Sequence, residues 1–139
     1  MKETSDVYND PVIFPGKARE GVELFNQREY WESHEAWEDI WRTGNPTERL
    51  FYQGLIQVAA GFVKIQKVWH APAVRNLQKG LSKLKLLTHL NVPIDLGTFV
   101  TEAQAVLDEL VELGRVCFEQ KSWDWWPTIS YRSLRREKT

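Results

Sequence analysis

Glu48-Arg49-Leu50-Phe51-Tyr52-Gln53-Gly54-Leu55-Ile56-Gln57-Val58-Ala59-Ala60-Gly61-Phe62-Val63-Lys64-Ile65-Gln66-Lys67-Val68 is the stretch on which the fold turns. At about 100° per residue its apolar side chains, Phe51, Tyr52, Leu55, Ile56, Val58, Ala59, Phe62, Val63 and Ile65, cover most of a helical circumference. Only a narrow stripe of Arg49, Gln53, Gln57 and Lys64 is polar. A helix apolar nearly all round must be covered on most sides, so this segment is expected at the centre of an all-α bundle. Gly54 and Gly61 share one side and invite close approach by a neighbouring helix. They lower helix propensity by roughly 1 kcal/mol each relative to alanine, a cost that close packing must offset.

Working outward, Thr43-Gly44-Asn45-Pro46 separates this helix from the one before it, with Thr47 the expected N-cap. The preceding helix spans about Tyr30 to Arg42, and a short first helix spans about Lys17 to Asn26. On the C-terminal side a fourth helix begins near Ala71-Pro72 and runs to Leu87, with Val74, Leu77, Leu81 and Leu84 at three- and four-residue steps. Asp95 or Thr98 caps a fifth, in which Phe99, Ala103, Val106, Leu110, Leu113 and Cys117 keep the rhythm of a packed bundle helix. Short links favour antiparallel neighbours. The expected organisation is an extended, proline-punctuated arm over residues 1–16, a helical domain over 17–121 and a Trp-rich segment with a basic tail over 122–139. Trp123-Asp124-Trp125-Trp126 reads as a strap packed back across the bundle, with an exposed patch for a partner as the alternative. The end, Arg132-Ser133-Leu134-Arg135-Arg136-Glu137-Lys138, is mildly basic and reads as solvated.

Composition sets the outer bounds. A chain of 139 residues, 42% hydrophobic and 27% charged, suits one domain with a proper core. A net charge of -1 gives no global field to attract nucleic acid. Arg75, Lys79, Lys83 and Lys85 make a modest basic stripe on the fourth helix, the usual mark of a solvated face. A single cysteine, Cys117, forms no internal disulfide and sits on the expected core face of the fifth helix. The first residues lack the apolar run of a signal peptide, and no segment approaches the ~18 apolar residues of a membrane span. A soluble, cytoplasmic protein is expected. A residual apolar stripe on a bundle helix leaves a homodimer open.

The chemistry concentrates in Tyr30-Trp31-Glu32-Ser33-His34-Glu35-Ala36-Trp37-Glu38-Asp39-Ile40-Trp41. His34 and Glu38 are four apart and share a face, on the border between an aromatic stripe and the wet side. There a histidine meets water while apolar neighbours lower the local dielectric, the setting in which a His/Glu pair binds a metal or moves protons. Three readings follow. In the first, His34, Glu35, Trp37, Glu38, Trp41, Arg49, Gln53 and Gln57 line a polar pocket where the second and third helices meet. That pocket binds a small ligand or a protein partner without catalysis. In the second, His34 and Glu38 hold a divalent metal and Glu35 is the base of a hydrolase, as in an H-E-x-x-H helix whose second histidine has become glutamate. The third ligand is then missing, because His70 and His89 fall at helix ends. In the third, the Trp-rich tail is a protein-interaction module. A structural alternative also uses the same residues: a buried network in which Arg49 pairs with Glu38 and both glutamines are satisfied. Gly21 through Trp41 further reads like a tetratricopeptide-type hairpin, but no second copy follows at the required period.

Leu24-Phe25-Asn26, Tyr30-Trp31-Glu32, His34-Glu35-x-Trp37-Glu38-x-x-Trp41-Arg42 and Gln53-Gly54-Leu55-Ile56-Gln57-x-Ala59-Ala60 resemble the family called domain of unknown function 309. The resemblance extends from about Phe14 to Leu87, with a similar Pro127-x-Ile129 ending. It implies a small all-helical domain found in bacteria, archaea and plastid-bearing lineages, and no established activity. The positions matching the family's motif are His34, Glu35, Trp37, Glu38, Trp41, Gln53, Gly54 and Gln57.

Overall fold

Where the central helix starts is decided by Asn45-Pro46. Proline lacks the N–H that a first-turn residue leaves unused and has its φ already set, so the helix opens at Pro46. Asn45, rather than Thr47, is therefore the cap. Its side chain accepts from the Glu48 N–H at 2.8 Å, and the Glu48 carboxylate accepts from the Asn45 N–H at 2.9 Å, a reciprocal capping box. In the computed structural model, which describes residues 8–134, five α-helices follow in order. They are α1 (Gly16–Asn26), α2 (Tyr30–Trp41), α3 (Pro46–Gln66), α4 (His70–Leu84) and α5 (Leu96–Glu119), with a 3-10 turn at Lys85–Leu87 after α4. The fold is all-α. The only β pairing among the described residues is an isolated bridge between Ile94 and Tyr131. Residues 1–7 and the end of the basic tail, Arg135 to Lys138, lie outside the described residues.

α3 lies between α2 and α4, while α1 packs on α2 and α5 on α4. Gly54 and Gly61 both face α4. A methyl group on Gly54 would strike Leu84, and one on Gly61 would strike Leu77. Gly80 of α4 answers them, its Cα side lying against the Gly54 carbonyl and the Val58 backbone. Phe25 ties the other layers together: its ring meets Phe62 of α3, Phe99 of α5 and Tyr30 of α2 edge-on at 5.6, 5.3 and 4.8 Å.

Two helices end in the left-handed conformation on residues other than glycine, Arg28 at φ 66° and Val68 at φ 59°. Each turn is closed by a bond back into the helix, Glu29 N–H to Leu24 and Trp69 N–H to Lys64, both 2.9 Å. Asp95 caps α5 through the Thr98 N–H. The expected run of α5 to Cys117 on one face fails at Gly114, whose φ of 69° and ψ of 175° break the helix. The phase restarts there, so Phe118 is buried against His70 and Trp123 and Cys117 is exposed.

Both terminal segments are fastened to the bundle. The arm runs along the start of α3, where Ile13 N–H donates to Glu48 at 2.8 Å and Tyr52 Oη donates to the Ile13 carbonyl at 2.7 Å. Thr47, buried, exchanges bonds with Asp10. At the other end the Asn26 side chain both donates to and accepts from the Ile129 backbone, and Pro127 and Ile129 are buried. Trp126 packs on Tyr30 and Phe62. The strap reading holds for this segment, with Trp125 left half exposed. Among the described residues no helix is long and apolar enough to cross a membrane.

Candidate functional site between the second and third helices

α2 turns one face to the core through Tyr30, Ser33, Ala36, Trp37 and Ile40. The residues one step further round, His34, Glu38 and Trp41, are half-buried at the edge of that face. Opposite them the polar stripe of α3 supplies Gln53 and Gln57. Between the two lies a cleft of about 170 Å³ lined by His34, Glu38, Trp41, Gln53, Ile56 and Gln57. A second cleft of about 350 Å³, lined by Tyr8, Trp41, Pro46, Arg49, Leu50 and Gln53, adjoins it. Trp41 and Gln53 belong to both, so the two form one groove along α3.

Five of the eight sequence-predicted residues thus meet in the first cleft, His34, Glu38, Trp41, Gln53 and Gln57, and Arg49 joins at the second. Glu35 and Trp37 do not. Glu35 is exposed and lines neither cleft. Trp37 is fully buried, its indole N–H donating to the Ala18 carbonyl at 3.1 Å, which locks α1 onto α2.

The cross-helix network anticipated from the sequence is absent from the described residues. His34 Nε2 lies 3.6 Å from the Glu38 carboxylate, within ion-pair range but beyond hydrogen-bond length. The other Glu38 oxygen pairs with Arg42 at 3.5 Å. Arg49 does not reach Glu38; its guanidinium sits over the Trp41 ring, 5.8 Å from the centroid. Gln57 bonds to α4, its Oε1 accepting from Lys83 Nζ at 2.7 Å. The His34 ring stacks on Trp31 at 5.1 Å and 15°, while its Nδ1 is buried without a partner among the described residues. The reason is geometric: i, i+4 neighbours on α2 reach one another more easily than they reach across the groove.

Lys83 and Ile56 are the participants that the sequence reading missed. Lys83 belongs to the basic stripe of α4 taken for a solvated face, and nothing in its spacing reveals that it turns toward α3. Burial, with the nearby charge of Lys79 next, holds its amine below the usual lysine range.

As a metal site the pair is incomplete. A catalytic zinc site uses three protein ligands, and among the described residues no three His, Cys, Asp or Glu side chains converge. His70 Nε2 donates to the Leu110 carbonyl at 2.7 Å and His89 Nε2 to that of Tyr8 at 2.9 Å, so both other histidines bond to backbone carbonyls, and neither lines the His34 cleft.

Residues 18–76 match the model of the family described as Domain of unknown function (DUF309). The matched stretch contains α1, α2 and α3 entire, apart from the first two residues of α1, and with them every residue lining the first cleft. Lys83 lies beyond it. The resemblance read from the second and third helices therefore stands at the level of the family. No curated protein and no solved structure gives a significant match to the chain.

Proposed function

We propose that this chain is a noncatalytic binding domain whose α2/α3 groove takes up a small ligand. One observation carries the reading. The polar side chains at this interface face a cleft instead of bonding across it: among the described residues no hydrogen bond or ion pair joins a side chain of α2 to one of α3. Gln53 is half-buried, lines both clefts and has no protein partner among the described residues, so its amide is open to a ligand. Together the two clefts reach the size of small-molecule sites, ~300–1,000 Å³, and they combine aromatic and aliphatic walls with a few polar groups, as such sites do.

The test is a fragment screen by ¹H–¹⁵N NMR, following the Trp41 indole and the Gln53 and Gln57 side-chain amides. Fragments that shift these signals, and lose the effect in Trp41→Ala, support the reading. A panel that perturbs only other surfaces refutes it. If instead a peptide from a partner protein saturates the same signals, the groove is a docking site for a chain segment, the other form of noncatalytic binding that these residues suit.

A further inference from the structure

We infer that the ligand of this groove carries an anionic oxygen group, a carboxylate or a phosphate, held at the Gln57–Lys83 end with the ligand's body against Trp41. The inference rests on the reading of the α2/α3 groove as a binding site and names the chemistry it selects.

The argument starts from what a lysine can do. Its ammonium has three donors and no acceptor, so the Gln57 atom that meets Lys83 Nζ at 2.7 Å must be the carbonyl oxygen. That fixes the amide: the NH₂ end of Gln57, a cleft-lining residue, is left as a donor without an acceptor among the described residues. Lys83 itself has only neutral partners, Gln57 Oε1 and the Lys79 carbonyl at 3.5 Å, and it pairs with no carboxylate among the described residues. The same is true of Arg49, whose guanidinium sits over the Trp41 ring at the other end of the groove. Glu38 is the one acid on the cleft wall, and its charge is already met by Arg42 and faced by His34.

The groove is therefore donor-rich: Arg49 lines one end, Lys83 reaches the other only through its bond to the cleft-lining Gln57, and neither cation pairs with a carboxylate among the described residues. A carboxylate or phosphate at the Gln57 amide would accept a charge-assisted bond, the stronger kind. It would also supply the counter-charge that Lys83 lacks. Burial, with the neighbouring Lys79 charge next, holds the lysine's pKa below its usual range, and a bound anion would oppose both effects.

Benzoate and its uncharged counterpart benzamide are suitable probes, titrated into the full chain and followed by ¹H–¹⁵N NMR. Inorganic phosphate forms a third arm. Benzoate is expected to shift the Gln57 amide and the Trp41 indole and to bind about tenfold or more tightly than benzamide, the value of one charge-assisted bond. In Lys83→Met, which keeps most of the unbranched side chain but removes the ammonium, benzoate should weaken by a similar factor while benzamide is unchanged. Phosphate acting on the same signals with the same dependence on Lys83 would mark the anionic group as a phosphate. Benzamide equal to benzoate, or benzoate indifferent to Lys83→Met, overturns the anionic assignment and leaves the groove as a binding site for neutral ligands. If no probe of either charge reaches the groove, the anionic assignment falls together with the binding reading beneath it.

Discussion

Gly80→Ala measures how closely α3 and α4 are pressed together. A Cβ on residue 80 would sit 2.7 Å from the Gly54 carbonyl oxygen and 2.8 Å from both the Val58 nitrogen and its Cγ2. Two of these three atoms are backbone, so no rotamer change relieves the clash. Ordinary contact begins near 3.4 Å, and the helices must part by more than half an ångström along their longest interface. Overpacking of this kind costs typically 1–3 kcal/mol. Alanine returns up to about 1 kcal/mol in helix propensity, which leaves a net loss of up to about 2 kcal/mol. In a chain of 139 residues each kcal/mol lowers Tm by roughly 3 °C, so the loss reaches about 7 °C at its upper end. Gly16→Ala is the control, because a Cβ there meets nothing within 4 Å; it should leave stability unchanged or slightly raised. Thermal and urea unfolding by circular dichroism read both. A Gly80→Ala protein as stable as Gly16→Ala would refute the claim that glycines set the α3–α4 distance.

Further outcomes follow from particular contacts. Tyr30 Oη is buried with no partner among the described residues, so Tyr30→Phe should be neutral or mildly stabilising. Tyr52→Phe, which removes the bond to Ile13, should cost about 1 kcal/mol in urea unfolding. Burial pushes both phenols well above the ordinary tyrosine range. They stay protonated in the folded state while the unfolded chain ionises near pH 10, so stability is complete below that pH and falls as the pH rises beyond it. Absorbance titration should show Tyr30 and Tyr52 ionising only as the protein unfolds. Val68, a β-branched residue at φ 59°, carries strain of about 1–2 kcal/mol, and Val68→Gly should raise the urea midpoint; no gain would mean that the turn is unstrained. Deleting residues 122–139 removes the buried Ile129 and both Asn26 bonds, a loss of at least ~3 kcal/mol. A truncated chain that melts like the full one would show the strap to be an accessory.

The fold was legible because its determinants are local and periodic. α3 declared its central place through an apolar surface interrupted by a single stripe, and Gly54 and Gly61 announced a close neighbour, although their partner Gly80 became visible only once α4 was in place. Asn45 was missed as the cap because Thr47 looked equally suitable; the deciding factor was that Pro46 fits the first helical position. Cys117 was misplaced because periodicity assumes a continuous helix, and one glycine at positive φ cancels the phase of everything after it. The site was half legible for a related reason. Residues of α2 and α3 that share a groove can be aligned by helical spacing, but the reach of Lys83 from α4 depends on packing, which spacing does not encode.

The choice between a structural and a binding role for the polar stripe of α3 comes down to Gln53. Were the stripe a device for holding helices in register, its members would bond to α2, and replacing one would leave a broken pair costing 1–3 kcal/mol. Gln53 has no such partner among the described residues, and it lies where the two clefts meet. Exchanging it for a similar-sized apolar residue removes a half-buried polar group and breaks no bond. Gln53→Leu is thus expected to match or exceed the wild-type urea midpoint while weakening fragments that occupy the groove, the pattern of a residue kept for binding at the expense of stability. A Gln53→Leu chain destabilised by 1 kcal/mol or more would reverse the conclusion, because it would mean that the amide has a partner and that the stripe belongs to the scaffold.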